Sequence, residues 1–203
     1  MTNRVSVTRI DSPVTRIDSR TKMGVFGMRL FLVSLSVLFA ASMIGYLVVR
    51  LRAPEWPPPG TPLLPGGLWA STAVLLLSSA TMAVALRGAR SDHSIQLQTG
   101  VLLTTVLGLL FLLLQFFNWR SLSAAQVSAS GNLYGFTFYM LTGLHAAHVI
   151  GGVAALFVVT VRAFAGRYGS SHHAGLLYCS MYWHFLDIVW LLLFTVLFLG
   201  QRG

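Results

Sequence analysis

Five long stretches of nearly uninterrupted apolar residues divide this chain, and a polypeptide so divided has few folds open to it. They run roughly from Val25 to Val49, Leu68 to Leu86, Thr99 to Phe117, Phe138 to Val161, and Cys179 to Leu199. Each is long enough to cross a hydrocarbon layer of ~30 Å, which takes about 20 residues at a rise of 1.5 Å per residue. The backbone must satisfy its own hydrogen bonds in that layer, so each block is predicted to be a helix. A barrel would need alternating segments of about 10 residues, and the sequence has none. Only 9% of the 203 residues are charged, against about 25% in a soluble domain, too few to wet a compact surface. The expected fold is all-α: a polytopic membrane bundle of five transmembrane helices over residues 25–203, preceded by a flexible basic tail at 1–24.

The connectors support this division. The tail carries a tandem repeat, Val7 to Ser12 returning as Val14 to Ser19 (VTRIDS). It lacks the short apolar core and small-residue cleavage site of a secretory signal. Between the first two blocks lie Pro54, Pro57, Pro58, Pro59, Pro62 and Pro65, which force an extended, irregular path. Trp56 and Trp69 suit the membrane–water interface. With the N-terminus inside, Arg4, Arg9, Arg16, Arg20, Lys22, Arg29, Arg87, Arg90, Arg162 and Arg167 share the inner side, and Arg50, Arg52, Arg120 and Arg202 the outer. That asymmetry predicts a cytoplasmic N-terminus, a periplasmic C-terminus and a multi-pass protein of the bacterial inner membrane. The net charge of +9 is therefore assigned to topology. No basic face interleaved with aromatic residues points to nucleic acid. The lone Cys179 excludes an intrachain disulfide and a thiolate zinc site.

Ionisable side chains within an apolar block are costly and mark function by default. Here they are His145 and His148 in the fourth block, and His184 and Asp187 in the fifth. Each pair is spaced i,i+3, so each pair shares a helix face. Trp183 and Trp190 bracket the second pair. Gly143, Ala146, Ala147, Gly151 and Gly152 surround the first, and the bundle is expected to pack around that small-residue face. Three readings are open on the residues alone: axial haem ligands facing one another, a metal site of two histidines and a carboxylate, or interhelical hydrogen bonds that hold the bundle and dock a partner. No catalytic triad, phosphate loop or paired carboxylates are visible.

Two segments carry a family resemblance. Tyr134 to Gly152 reads as an aromatic lead-in, then Thr142-Gly143-Leu144-His145-Ala146-Ala147-His148-Val149, then glycines. Tyr182-Trp183-His184-Phe185-Leu186-Asp187-Ile188-Val189-Trp190 follows. Together they resemble the penultimate and last helices of subunit III of the haem–copper terminal oxidases, in its five-helix form. The resemblance implies a non-catalytic subunit without its own cofactor. Haem and copper would lie in partner subunits, catalytic subunit I would be its neighbour, and phospholipid would be bound. The complex would reduce oxygen and pump protons in aerobic electron transport. His145, His148, Trp183, His184, Asp187 and Trp190 would be structural, docking or lipid-associated residues. Alternative readings are a related subunit of a nitric-oxide reductase complex, a small-solute transporter or a haem b anchor. The chain departs from the family by lacking its usual glutamates. None stands near Ser34-Leu35-Ser36, Asn118 follows Gln115, and Leu176-Leu177 precede the last helix.

Overall fold

The computed structural model describes residues 13–59, 65–125, 127, 131–170 and 172–201, with backbone alone for 13–20. Regular structure in these residues is helical throughout: α1 (Pro13–Arg52), α2 (Gly67–Arg90), α3 (Ser94–Ala124), α4 (Leu133–Phe164) and α5 (Ala174–Gly200). All five contain a stretch apolar enough and long enough to cross a membrane. Each helix overruns its apolar block, because a helix continues into polar sequence until a specific signal stops it. The largest difference is in α1, which starts at Pro13, so residues 13–24 of the stretch read as a tail are helical. Proline suits the first turn of a helix, where its missing N–H is not needed. The second VTRIDS copy therefore lies in α1, whereas the first falls outside the described residues.

The helix ends have local causes. Asn132 caps α4, its side chain accepting the Gly135 N–H at 2.7 Å and satisfying one orphan donor of the first turn. At the other end Gly166 turns left-handed at φ 67°, and the Arg167 N–H reaches back to the Arg162 carbonyl at 3.0 Å. The end of α2 repeats this Schellman geometry with Asp92 at φ 55° and His93 N–H on the Gly88 carbonyl at 2.9 Å. Aspartate is one of the few side chains that tolerates that conformation. The Asp92 carboxylate also accepts the Ser170 N–H at 2.7 Å, tying the α2–α3 turn to the α4–α5 loop. That bond is the leading cause that holds Asp92 below the usual carboxylate range.

Helices α2, α3, α4 and α5 close a ring in which each touches the next, and α5 returns to α2. Helix α1 stands outside this ring against α4 and α5. It runs parallel to α5 and meets it through tyrosines seated on glycines. Tyr178 lies on Gly24, and Tyr46 lies on Gly200. The closest backbone approach is between α2 and α3. A Cβ on Gly100 would lie 2.8 Å from the Ala85 Cα, and one on Gly88 would lie 2.7 Å from the Leu97 nitrogen. The Thr81 and Thr104 hydroxyls bond across this seam at 2.8 Å. The closest backbone approach is thus at the α2–α3 hairpin; on the small-residue face of α4 a Cβ on Gly152 would lie 3.0 Å from Trp183, whereas one on Gly143 would meet nothing within 4 Å. The three-residue turn Ser91–His93 holds α2 and α3 together from their shared end, and small residues let them stay close.

Candidate functional site

The centre of the ring is built on α5. Trp183 and Trp190 are seven residues apart, two helical turns, and so point the same way. Both are buried. The Trp183 Nε1–H donates to Ser78 Oγ on α2 at 3.0 Å, and the Ser78 hydroxyl lies 2.6 Å from the Leu75 carbonyl. The far edge of the same indole fills notches at Gly108 of α3 and Gly152 of α4. A Cβ at those positions would come within 2.7 Å and 3.0 Å of the ring. One residue therefore contacts all three other helices of the ring.

Trp190 repeats the arrangement one layer along. Its Nε1–H donates to Thr72 Oγ1 on α2 at 2.9 Å. Its ring lies 5.0 Å from Phe111 of α3 in edge-to-face geometry and 5.1 Å from the His145 imidazole of α4. An indole N–H left without an acceptor in hydrocarbon would cost several kcal/mol on the order of a bare amide. The α2 hydroxyls remove that cost and fix the register between helices.

The four ionisable groups go to different places. His145 is fully buried inside a box of rings: Trp190, Phe111 at 5.9 Å and Phe39 of α1 at 6.2 Å. Neither of its nitrogens has a hydrogen-bond partner among the described residues. His148 lies 5.1 Å from the same Phe39 ring, as the i,i+3 spacing predicts, but its Nδ1 is 2.8 Å from the Leu144 carbonyl of its own helix. His184 lies on the α2 side of α5, with Nδ1 2.7 Å from Ser79 Oγ and 3.7 Å from Asp187 Oδ2. Asp187 is buried, and neither carboxylate oxygen is hydrogen-bonded.

This layout bears on the three readings. The α4 imidazoles face Phe39, and His184 faces Ser79, so they do not oppose one another as axial haem ligands would. No group of three His, Cys, Asp or Glu side chains converges on a common point among the described residues. Ser79, His184 and Asp187 also fail as a nucleophilic relay. Serine and carboxylate both approach Nδ1, whereas a relay needs them on opposite ring nitrogens. The contacts described join α5 to α2 through Ser79 and box His145 between α1, α3 and α5, while His148 bonds its own helix.

Several of those contacts come from residues that sequence reasoning passed over as unremarkable Ser, Thr and Gln. Thr105 of α3 and Thr160 of α4 share a hydrogen bond at 3.0 Å, and Trp119 Nε1–H donates to Thr142 at 3.1 Å. Gln115, one turn past Phe111, is buried with neither amide atom bonded. The available signal was a spacing match. Thr72 and Ser78 lie six apart on α2, opposite tryptophans seven apart on α5, as antiparallel partners must.

Comparison with known proteins decides which kind of bundle this is. The family model described as cytochrome c oxidase subunit III matches residues 17–201. The chain belongs to the cytochrome c oxidase subunit III family. It is 35% identical over 179 residues to cytochrome c oxidase subunit 3 of Synechocystis, covering 86% of this chain and 74% of that one. The probable cytochrome c oxidase subunit 3 of Mycobacterium tuberculosis is 34% identical over 194 residues, covering 95% of each chain. Cytochrome c oxidase subunit 3 of Lemur catta is 36% identical over 180 residues, covering 85% of this chain and 65% of its own. Nothing in these matches supports the nitric-oxide reductase or transporter alternatives. Within this subunit III chain, the two segments that carried the resemblance are the ones that supply Trp183, Trp190 and His145 to the core.

Proposed function

We propose that this chain is the non-catalytic subunit III of a respiratory haem–copper terminal oxidase, seated in the bacterial inner membrane with its N-terminus cytoplasmic and its C-terminus periplasmic. Haem and copper belong to partner subunits, and catalytic subunit I is its neighbour. Trp183, Trp190 and His145 hold the bundle together, while His184 and Asp187 serve contacts with a partner. The observation that carries this reading is the family match across residues 17–201, in a fold whose polar side chains serve helix-to-helix contacts.

Phospholipid is the second ligand of this reading. A groove of about 480 Å³ runs between α1, α4 and α5, with Met28, Phe31 and Val158 along it and Arg162, Tyr178 and Tyr182 at its polar positions. An apolar trough with a guanidinium suits an acyl chain and an anionic headgroup. Arg87, Arg90, Arg162 and Arg167 in the short loops and helix ends support the orientation through the positive-inside rule.

The test is purification in mild detergent from its native membrane. Haem- and copper-bearing subunits should accompany the chain, and bound phospholipid should appear in native mass spectra. A Soret band from the separated chain would overturn the reading.

A further inference from the structure

The groove between α1, α4 and α5 is lined by a single charged side chain, Arg162. A second recess, toward the other end of α1 and α4, carries both signs of charge. It measures about 460 Å³ and lies where α1 ends, the proline-rich connector begins and α4 starts. Val48 and Leu133 give it apolar walls, and Trp56 and Tyr134 aromatic ones. Its charged lining residues are Arg52 and Glu55, three positions apart and both exposed. Neither is in a salt bridge among the described residues.

The backbone adds to this polarity. The last carbonyls of α1 lie here, Val49 and Arg50 sharing the Ala53 N–H at 3.1 and 3.3 Å. Leu133 and Tyr134 belong to the first turn of α4. A negative helix end and a positive one therefore border the same recess. The Trp56 and Tyr134 rings meet at 5.2 Å and 64°, and indole and phenol faces attract a cation. An anion alone would find Arg52 but be repelled by Glu55, and a cation alone the reverse. Acyl chains alone would leave both charges unmatched. A zwitterion whose phosphate and ammonium are joined by a short linker matches both. A primary ammonium can also donate hydrogen bonds to the carboxylate.

We propose that this recess is a headgroup site for a zwitterionic aminophospholipid of the ethanolamine type. Arg52 takes the phosphate, Glu55 takes the ammonium beside the Trp56 ring, and the acyl chains run along Val48 and Leu133. The site is separate from the α1–α4–α5 groove, whose Arg162 suits an anionic headgroup, and it lies at the opposite membrane face. It goes beyond the subunit III reading, and failure of either leaves the other standing.

The experiment uses the full chain, with whatever accompanies it from its membrane, in vesicles holding a trace of phospholipid with a photoactivatable diazirine in the acyl chain. The probe is made with ethanolamine, choline or glycerol headgroups, and adducts are located by mass spectrometry. Adducts on residues 48–58 and 133–134 should be about fivefold more frequent with the ethanolamine probe than with the other two, the scale of one exposed ion pair. Glu55→Gln should abolish that preference. Arg52→Gln should lower labelling of the recess by all three probes, and neither variant should change labelling around Arg162. Equal labelling of the recess by the three headgroups on the unaltered chain overturns the proposal, as does a preference that survives Glu55→Gln. Soluble phosphoethanolamine that displaces the probe at the same bulk concentration overturns lipid as the source of the headgroup. The three-headgroup comparison needs no variant, so a poorly folding variant leaves the test intact.

Discussion

The two sides of α5 use polar side chains in opposite ways. On the inner side, Trp183 and Trp190 each place an indole N–H on a hydroxyl of α2 and a ring against α3 and α4. Every polar atom of those indoles is satisfied. On the α2-facing edge, His184 is half-exposed, and the Asp187 carboxylate beside it is buried without a hydrogen bond. Lipid tails give helices no hydrophobic incentive to associate, so close packing and hydrogen bonds must do it. A saturated face therefore marks where this chain holds itself together.

Substitutions can break that comparison. The largest effect should come from Trp183→Ala, which empties the notch between Gly108 and Gly152 and removes the donor to Ser78. Truncations of this size cost about 3–5 kcal/mol in well-packed interiors. Thermal unfolding of the detergent-solubilised chain should show a large drop, and an unchanged melt would mean the notch is not the centre of the bundle.

Trp190→Phe keeps a ring against Phe111 and His145 but removes the donor to Thr72. The loss should be about 1 kcal/mol, and Thr72→Val should cost a similar amount. The double variant should cost less than the sum, because both singles delete the same bond.

His145→Phe tests the aromatic box from the other direction. The imidazole brings two buried nitrogens without partners, so a phenyl ring of similar shape should be neutral or stabilising by up to ~2 kcal/mol. A marked loss of stability in the same melting assay would show that the imidazole is hydrogen-bonded after all.

Asp92 should give the smallest effect, outside the spans. Its folded pKa is depressed, first by the Ser170 backbone N–H, so the folded state binds fewer protons than the unfolded one. That stabilisation is present above the ordinary carboxylate pKa of about 3.9 and is lost as pH falls through the lower folded value. Melting curves of wild type against Asp92→Asn should differ in slope below about pH 4 and run parallel at neutral pH.

The five spans were legible in the sequence because crossing a membrane is a local requirement: enough consecutive apolar residues, with every backbone group satisfied inside its own segment. The i,i+3 pairs His145–His148 and His184–Asp187 were equally legible, since a helix fixes which neighbours share a face. Where α1 begins was not, because Pro13 starts a helix well before the hydropathy rises, and an apolar count does not register that. The partners of the polar groups were also out of reach. Ser79 and His184 are 105 positions apart, and Thr72 and Trp190 are 118. Which of the three imidazoles is boxed, which bonds its own helix and which meets Ser79 of α2 depends on register and rotation between helices. The tertiary structure alone sets those, through a three-residue turn at Ser91–His93, glycine notches at Gly100, Gly108 and Gly152, and two indoles bonded to hydroxyls of α2.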